Sequence, residues 1–362
     1  MSEKRAGTRR LGAVMAAGTA VLGLASCASG TASVAGAGAS SQEIAMQAWM
    51  AGFYEQNPDV LVSYDPTGSG AGREMFINGA VQFAGSDAAL DDAELDAATE
   101  RCSGGDVIEL PLYISPIAVA YNLPDLDVPH VNLTPEVIAA IFNGEVERWD
   151  DPAIAATNPG VALPDLAVVP VNRSDDSGTT ENFTEYLAAA GGDAWPHEPS
   201  GTWPRSGTQS GAQNAGVVST LEGAAGTIAY VDASQVTEAL GTVAVGVGDE
   251  FVPFSPEAAA TVVDVSPPAE GATDLRLTID LAHDTDEAGA YPVVLVSYTI
   301  ACSRYDEEQA EGIAALLTYI ASEEGQALAA RPDVAGSAPI SQDLRERVMA
   351  AVGQISAATD AG

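Results

Sequence analysis

Residues 166–187 constrain the chain most. An apolar run over residues 166–171 leads into Asn172-Arg173-Ser174-Asp175-Asp176-Ser177-Gly178-Thr179-Thr180, and Phe183 and Leu187 follow four apart. The run predicts a short buried strand, the polar stretch a turn, and the four-residue spacing a helix. A helix start presents free N–H groups and the positive end of the helix dipole, which suits a small oxyanion. Arg173 adds a planar fork of donors matched to oxyanion geometry. A solvated loop with an ordinary N-cap fits the same residues. The rest of the chain has to separate the two readings.

The same grammar recurs upstream. A strand at 60–64 runs into Thr67-Gly68-Ser69-Gly70-Ala71-Gly72, and a helix begins at Arg73. A strand at 81–84 ends in Gly85-Ser86-Asp87. Such turns cluster at the carboxyl ends of strands, where open α/β sheets bind ligands. Ser40 is expected to cap a helix whose apolar residues run to Phe53, with Glu43 completing a capping box. Strands at 107–114 and 117–121, interrupted at Ser115-Pro116, predict a first crossing between two lobes, and the apolar run 291–301 predicts the return. Thr134-Pro135-Glu136 opens another helix, with Pro at its first position. Residues 311–320, 323–330 and 344–355 are expected to be helical, and residues 241–288 show no clear site.

At the N-terminus, Lys4, Arg5, Arg9 and Arg10 precede an apolar segment, residues 11–24, that closes in Leu24-Ala25-Ser26-Cys27. This pattern predicts a secretory signal, residues 1–26, too short to span a bilayer comfortably. Residues 27–35 are expected to be a flexible tether of small residues. The net charge is −37, and without the four leader cations and Glu3, 50 acids face 10 arginines, about −40. Nucleic acid and anionic membrane surfaces are thereby disfavoured as partners. Any anion site must work by local dipoles and close donors. Lys4 is the only lysine, so a Walker-type phosphate loop and a mature Schiff-base lysine are excluded. Beyond Cys27 the cysteines are Cys102 and Cys302. In an exported chain they read most simply as a disulfide, with two buried thiols as the alternative. Together with His130, His197 and His283 they make no zinc spacing, and neither a metal nor a cofactor is expected.

The Leu-Ala-Ser-Cys ending resembles the lipobox of bacterial lipoproteins, which implies lipidation of Cys27 and a chain anchored at the outer face of the cell membrane. More broadly, the chain resembles the substrate-binding proteins of bacterial phosphate ABC transporters. The likeness rests on Gly36-Ala37-Gly38-Ala39-Ser40-Ser41, Gly68-Ser69-Gly70-Ala71-Gly72, Phe83-Ala84-Gly85-Ser86-Asp87-Ala88 and Ser115-Pro116-Ile117-Ala118-Val119-Ala120-Tyr121-Asn122. It continues through Ile141-Phe142-Asn143-Gly144, Trp149-Asp150-Asp151-Pro152-Ala153-Ile154, Arg173 to Thr179, and Gly226-Thr227-Ile228-Ala229-Tyr230-Val231. The resemblance implies an α/β, two-lobe, periplasmic-binding-protein-like (type II) fold with hinge-connected lobes. Lobe I would comprise residues 36–114 and 292–356, and lobe II residues 115–291.

The resemblance also implies a ligand set. Ser40, Ser41 and Ser69 would donate to inorganic phosphate, Asp87 would be the single acceptor, and Arg173, Ser177, Gly178 and Thr179 would close the far side. Asp175 would orient Arg173. Many members of the family carry Phe where Ser41 stands, so packing over the ligand would differ here. The implied role is binding without catalysis: high-affinity capture of phosphate by a monomer and delivery to an ABC permease. Binding of sulfate or phosphonate, and a secreted phosphatase, are the alternatives. The chain has no Gly-x-Ser-x-Gly elbow and no evident base for Ser177. Phosphate near neutral pH keeps a proton that Asp87 can accept, whereas sulfate has none, so one buried carboxylate can discriminate between them.

Overall fold

The computed structural model describes residues 32–102 and 104–358. The expected signal segment and Cys27 lie outside the described residues.

Two half-sheets share one long strand. In chain order the first elements are β1 (Ala32–Gly38), α1 (Glu43–Gln56), β2 (Val60–Asp65), α2 (Ser69–Ile77), β3 (Phe83–Ser86), α3 (Asp92–Arg101) and β4 (Val107–Tyr121). Next come β5 (Val131–Leu133), α4 (Pro135–Phe142), α5 (Pro152–Thr157), β6 (Val169–Arg173), α6 (Gly178–Ala190), β7 (Gln209–Gly211), α7 (Gln213–Glu222) and β8 (Thr227–Asp232). The chain continues through β9 (Gly241–Val247), β10 (Glu250–Pro253), α8 (Pro256–Val265), β11 (Val294–Cys302), β12 (Arg304–Tyr305), α9 (Glu307–Ala321), α10 (Glu323–Ala329), α11 (Gln342–Val352) and β13 (Ser356–Ala357).

The sheet runs in the order β2-β1-β3-β11-β4-β8-β6-β7, with β9 also paired to β4 and carrying β5 and β10. Strand β4 is buried along all of its 15 residues. Its first part, from Val107 to Pro116, pairs antiparallel with β11, and its second part, from Ile117 to Tyr121, pairs with β8. The interruption expected at Ser115-Pro116 is therefore absent. The chain stays extended there and changes partners instead, which suits a residue with no N–H to contribute to a ladder. The result is a two-lobe α/β architecture in which β4 crosses from one half-sheet to the other and β11 returns to lie beside it.

Strand β1 starts earlier than the tether reading allowed. Residues 32–35 pair in register with Val60, Leu61, Val62 and Ser63 of β2. The capping expected at Ser40 is also absent: α1 begins at Glu43, with Gln42 at the N-cap position and no side-chain cap. The helix is held by packing, since Ala45, Met46, Trp49 and Phe53 are buried and the Trp49 indole N–H donates to the Gly325 carbonyl at 2.7 Å. Other caps follow the sequence. Thr134 caps α4 with Pro135 behind it, and Asp91 forms a complete capping box with Glu94 on α3. Cys102 at the end of α3 and Cys302 at the end of β11 form a disulfide, with Cα atoms 5.4 Å apart. Among the described residues, no helix is long and apolar enough to cross a membrane.

Candidate functional site

The carboxyl ends of β1, β3 and β6 bring together the turns singled out in the sequence. From the first half-sheet come Ser40 and Ser41 after β1, Ser69 at the start of α2, and Asp87 after β3. From the second come Arg173 at the end of β6 and Ser177, Gly178 and Thr179 at the start of α6. All the side chains among them are buried: Ser40, Ser41, Ser69, Asp87, Arg173, Ser177 and Thr179 are each at most 3% exposed.

Asp87 is the acceptor at the centre. Ser41 Oγ donates to its Oδ1 at 2.6 Å and Thr179 Oγ1 donates to its Oδ2 at 3.0 Å, so hydroxyls from opposite half-sheets meet on one carboxylate. Its backbone N–H donates to Ser69 Oγ at 3.1 Å, and its carbonyl accepts from Asn182 Nδ2 at 2.7 Å. Burial raises the Asp87 carboxyl above its ordinary range, while the hydroxyls and Arg173 oppose that rise. A carboxylate oxygen has two lone pairs, so each oxygen retains room for a further donor.

Arg173 is neutralised in place. Its Nε donates to Asp175 Oδ1 at 2.9 Å and its Nη2 to Asp175 Oδ2 at 2.5 Å. The pairing lowers the Asp175 carboxyl below its usual value against the opposing effect of burial. The strand end beneath is fixed by Tyr230, whose hydroxyl accepts from the Arg173 N–H at 3.2 Å and bonds Thr180 Oγ1 at 2.8 Å. Ser177 Oγ accepts from the Thr180 N–H at 3.2 Å, an N-cap bond, and the Ser177 N–H donates to the Gly201 carbonyl at 3.0 Å. Ser177 thus takes the capping role that the sequence left open.

The two walls approach closely. A Cβ on Gly178 would lie 2.7 Å from Asp87 Cβ and 2.8 Å from Ser69 Oγ, and one on Gly70 would lie 2.3 Å from Asp176 Oδ1. Side chains at these glycines would force the half-sheets apart. Three helices, α1, α2 and α6, begin within or just after these turns, and a helix start leaves its first N–H groups without intrahelical partners.

The sequence reading missed four contributors. Arg73, 8% exposed, donates to Glu94 Oε1 at 2.9 Å and Ser86 Oγ at 3.0 Å, and lies 3.7 Å from Asp176. Its only signal was a cation just after the Gly-Ser turn. Asn182 anchors the Asp87 backbone from one turn into α6. Asn214 donates to Ser40 Oγ twice, through its N–H at 3.2 Å and its Nδ2 at 3.1 Å. Buried Asp232 accepts from the Tyr113 hydroxyl at 3.0 Å, its own N–H donates to Asn214 Oδ1 at 3.0 Å, and burial pushes its carboxyl up to about 7. Beside Asp87 opens a cavity of about 960 Å³, whose lining includes Glu181, Glu185 and His283. Burial likewise pushes Glu181 up to about 7. Among the described residues, no cluster of three or more His, Cys, Asp or Glu is arranged to hold a metal ion.

The two-lobe fold with polar strand-end turns facing each other is that of a binding-protein architecture, and a model of the PBP superfamily domain matches residues 25–324. Phosphate-binding protein PstS3 of Mycobacterium bovis (strain BCG / Pasteur 1173P2) is 34% identical over 331 residues, which cover 88% of this chain and 85% of that protein. Phosphate-binding protein PstS of Methanocaldococcus jannaschii is 29% identical over 79% of this chain and 77% of its own length. A high-affinity periplasmic phosphate-binding protein solved with phosphate shares the fold, with a TM-score of 0.73 at 20% identity over 88% of this chain and 93% of that one. The chain belongs to the PstS family of phosphate-binding proteins.

Proposed function

We propose that the protein captures inorganic phosphate outside the cytoplasmic membrane and hands it to an ABC permease for import. The observation that carries this reading is Asp87, one buried acceptor set opposite Arg173 among hydroxyls and helix N-termini. A tetrahedral anion held there meets donors on nearly every side and a single carboxylate. Only an anion that brings its own proton satisfies that carboxylate. Sulfate would place bare oxygen against a buried acid, a clash worth about 1–3 kcal/mol or more for a charged group.

In this reading Arg173, Ser40 and Ser69 donate through side chains, while Ser41, Gly178 and Thr179 donate through backbone N–H groups, the Thr179 hydroxyl hydrogen being held by Asp87. Ser177 serves chiefly as the cap that holds α6 in place, and Asp175 keeps the guanidinium aimed. No step needs a nucleophile, so the reading is binding without turnover. Lobe I takes residues 36–114 and 292–356, lobe II residues 115–291, and the crossings at β4 and β11 act as the hinge. The leader and Cys27 support export and a lipid anchor, and one chain supplies every ligand group, so a monomer suffices. Isothermal calorimetry with phosphate and sulfate tests the function: tight, one-to-one phosphate binding with sulfate far weaker is expected, and equal affinities would overturn the reading.

A further inference from the structure

Helices α1, α2 and α6 begin at the turns that carry the site residues, and α7 places its first N–H groups on two of those residues' side chains or their partners. Its N-cap residue, Ala212, makes no side-chain cap, and its first N–H groups go to protein atoms. The Gln213 N–H donates to Asp175 Oδ1 at 3.0 Å, and the Asn214 N–H donates to Ser40 Oγ at 3.2 Å. Gln213 has a φ of 59°, in the left-handed region that a residue with a side chain rarely occupies. That turn lets two successive N–H groups serve opposite walls: the acid that aims Arg173, and a serine of the β1–α1 turn.

The consequence falls on Ser40. A serine hydroxyl has one donor hydrogen and two acceptor lone pairs. Asn214 fills both lone pairs, through its N–H and through Nδ2 at 3.1 Å. The amide cannot flip without loss, because its Oδ1 already accepts the Asp232 N–H at 3.0 Å. With both lone pairs taken, the Ser40 hydrogen is the only bonding capacity left, and that oxygen can only donate.

We propose that Asn214 is a positioning residue that makes the Ser40 hydroxyl an obligate donor to the bound anion. The proposal rests on the phosphate reading above and names how one of its donors is set. It also ties that donor to closure. Ser40 belongs to the first half-sheet and Asn214 follows β7 in the second, 174 residues away, so the hydroxyl is oriented only when the halves meet. An anion bound to separated halves would find Ser40 free to rotate. The bonds to Asn214 therefore belong to the release barrier rather than to encounter.

The test is a double-mutant cycle on the full chain, with inorganic phosphate as the probe and both calorimetry and stopped-flow release as readouts. Ser40→Ala should weaken phosphate binding about tenfold or more, the loss of a hydrogen bond to a charged group. Asn214→Ala should weaken it several-fold, through faster release at an unchanged association rate. In the Ser40→Ala background, Asn214→Ala should change affinity less than twofold, because its effect passes through the lost hydroxyl. Additive losses, or a loss confined to association, would overturn the proposal, as would wild-type affinity in Ser40→Ala. Asn214→Leu, of similar bulk, replaces the alanine variant should thermal melts show that one unfolded. Wild-type protein that binds no phosphate would overturn the functional reading itself, an outcome visible in the same titrations.

Discussion

The wall built on β6 and α6 and the wall built on β3 hold the same small volume by opposite means. On the first, Arg173 brings a full positive charge, but Asp175 cancels it at contact distance. What remains is a rigid fork of donors with little long-range field. On the second, Asp87 brings a full negative charge into a buried place, and the hydroxyls of Ser41, Ser297 and Thr179 together with the Arg173 guanidinium partly offset the cost of burial. One wall is a cation made locally neutral; the other is an anion kept just tolerable. In a chain with a net charge of −37, attraction at a distance is not available. The pair of walls shows how selectivity can be built from geometry at contact.

Removing Arg173 attacks the stronger wall and should have the largest effect. Arg173→Ala deletes the fork and leaves half-buried Asp175 without its partner; losing two hydrogen bonds to a charged ligand costs about 3–4 kcal/mol. Phosphate affinity is expected to fall roughly 10²–10³-fold by calorimetry, and near-normal binding would remove Arg173 from the site. Asp87→Asn attacks the other wall, with a smaller and different outcome. Phosphate weakens, sulfate no longer meets a buried charge, and the ratio of their dissociation constants should narrow by about 10–100-fold. An unchanged ratio would mean that the second wall does not set selectivity. Ser41→Ala comes next. It removes the 2.6 Å bond that helps hold Asp87 ionised, so the carboxyl should rise further. Phosphate affinity should fall by only a few-fold, about 1 kcal/mol, with the loss concentrated at the acid end of a pH series. A uniform loss across pH would instead make Ser41 a direct ligand through its hydroxyl.

The walls differ also in how far they can be read from sequence. Strand ends that run through Gly, Ser, Asp or Arg into helix starts announce themselves, because the backbone chemistry of such turns is local. Thus Ser69, Asp87, Arg173, Asp175 and Thr179 could be singled out and are brought together in space. What could not be read is which hydroxyl faces which partner. Ser40 looks like a helix cap by every local rule, yet Asn214, far along the chain, takes both of its lone pairs. Pro116 looks like the end of a strand, yet β4 runs through it because the ladder changes partners there. Arg73 and Asp232 carry no motif at all. Their importance comes from burial, and burial depends on the assembled fold.

The last variant should leave both walls working and change only what lies behind them. Asp232 is fully buried, its Oδ2 has no hydrogen-bond partner among the described residues, and burial pushes its carboxyl up to about 7. In the unfolded chain the same group titrates near its ordinary value of 3.8. Between those two values the folded protein holds a proton that the unfolded chain has released. Stability from this group is therefore complete below about pH 4, falls as pH rises toward 7, and is flat above. The fall is on the order of 2–4 kcal/mol. Asp232→Asn mimics the protonated acid: the carbonyl can still accept from Tyr113 and Ser234, and the backbone N–H still reaches Asn214. Phosphate affinity should change less than twofold. The difference in unfolding free energy between variant and parent, followed by denaturant melts, should grow from pH 4 to about pH 7 in the variant's favour and then level off. A difference that does not vary with pH would mean that Asp232 stays ionised in the fold, with its charge held by the Tyr113 and Ser234 donors alone.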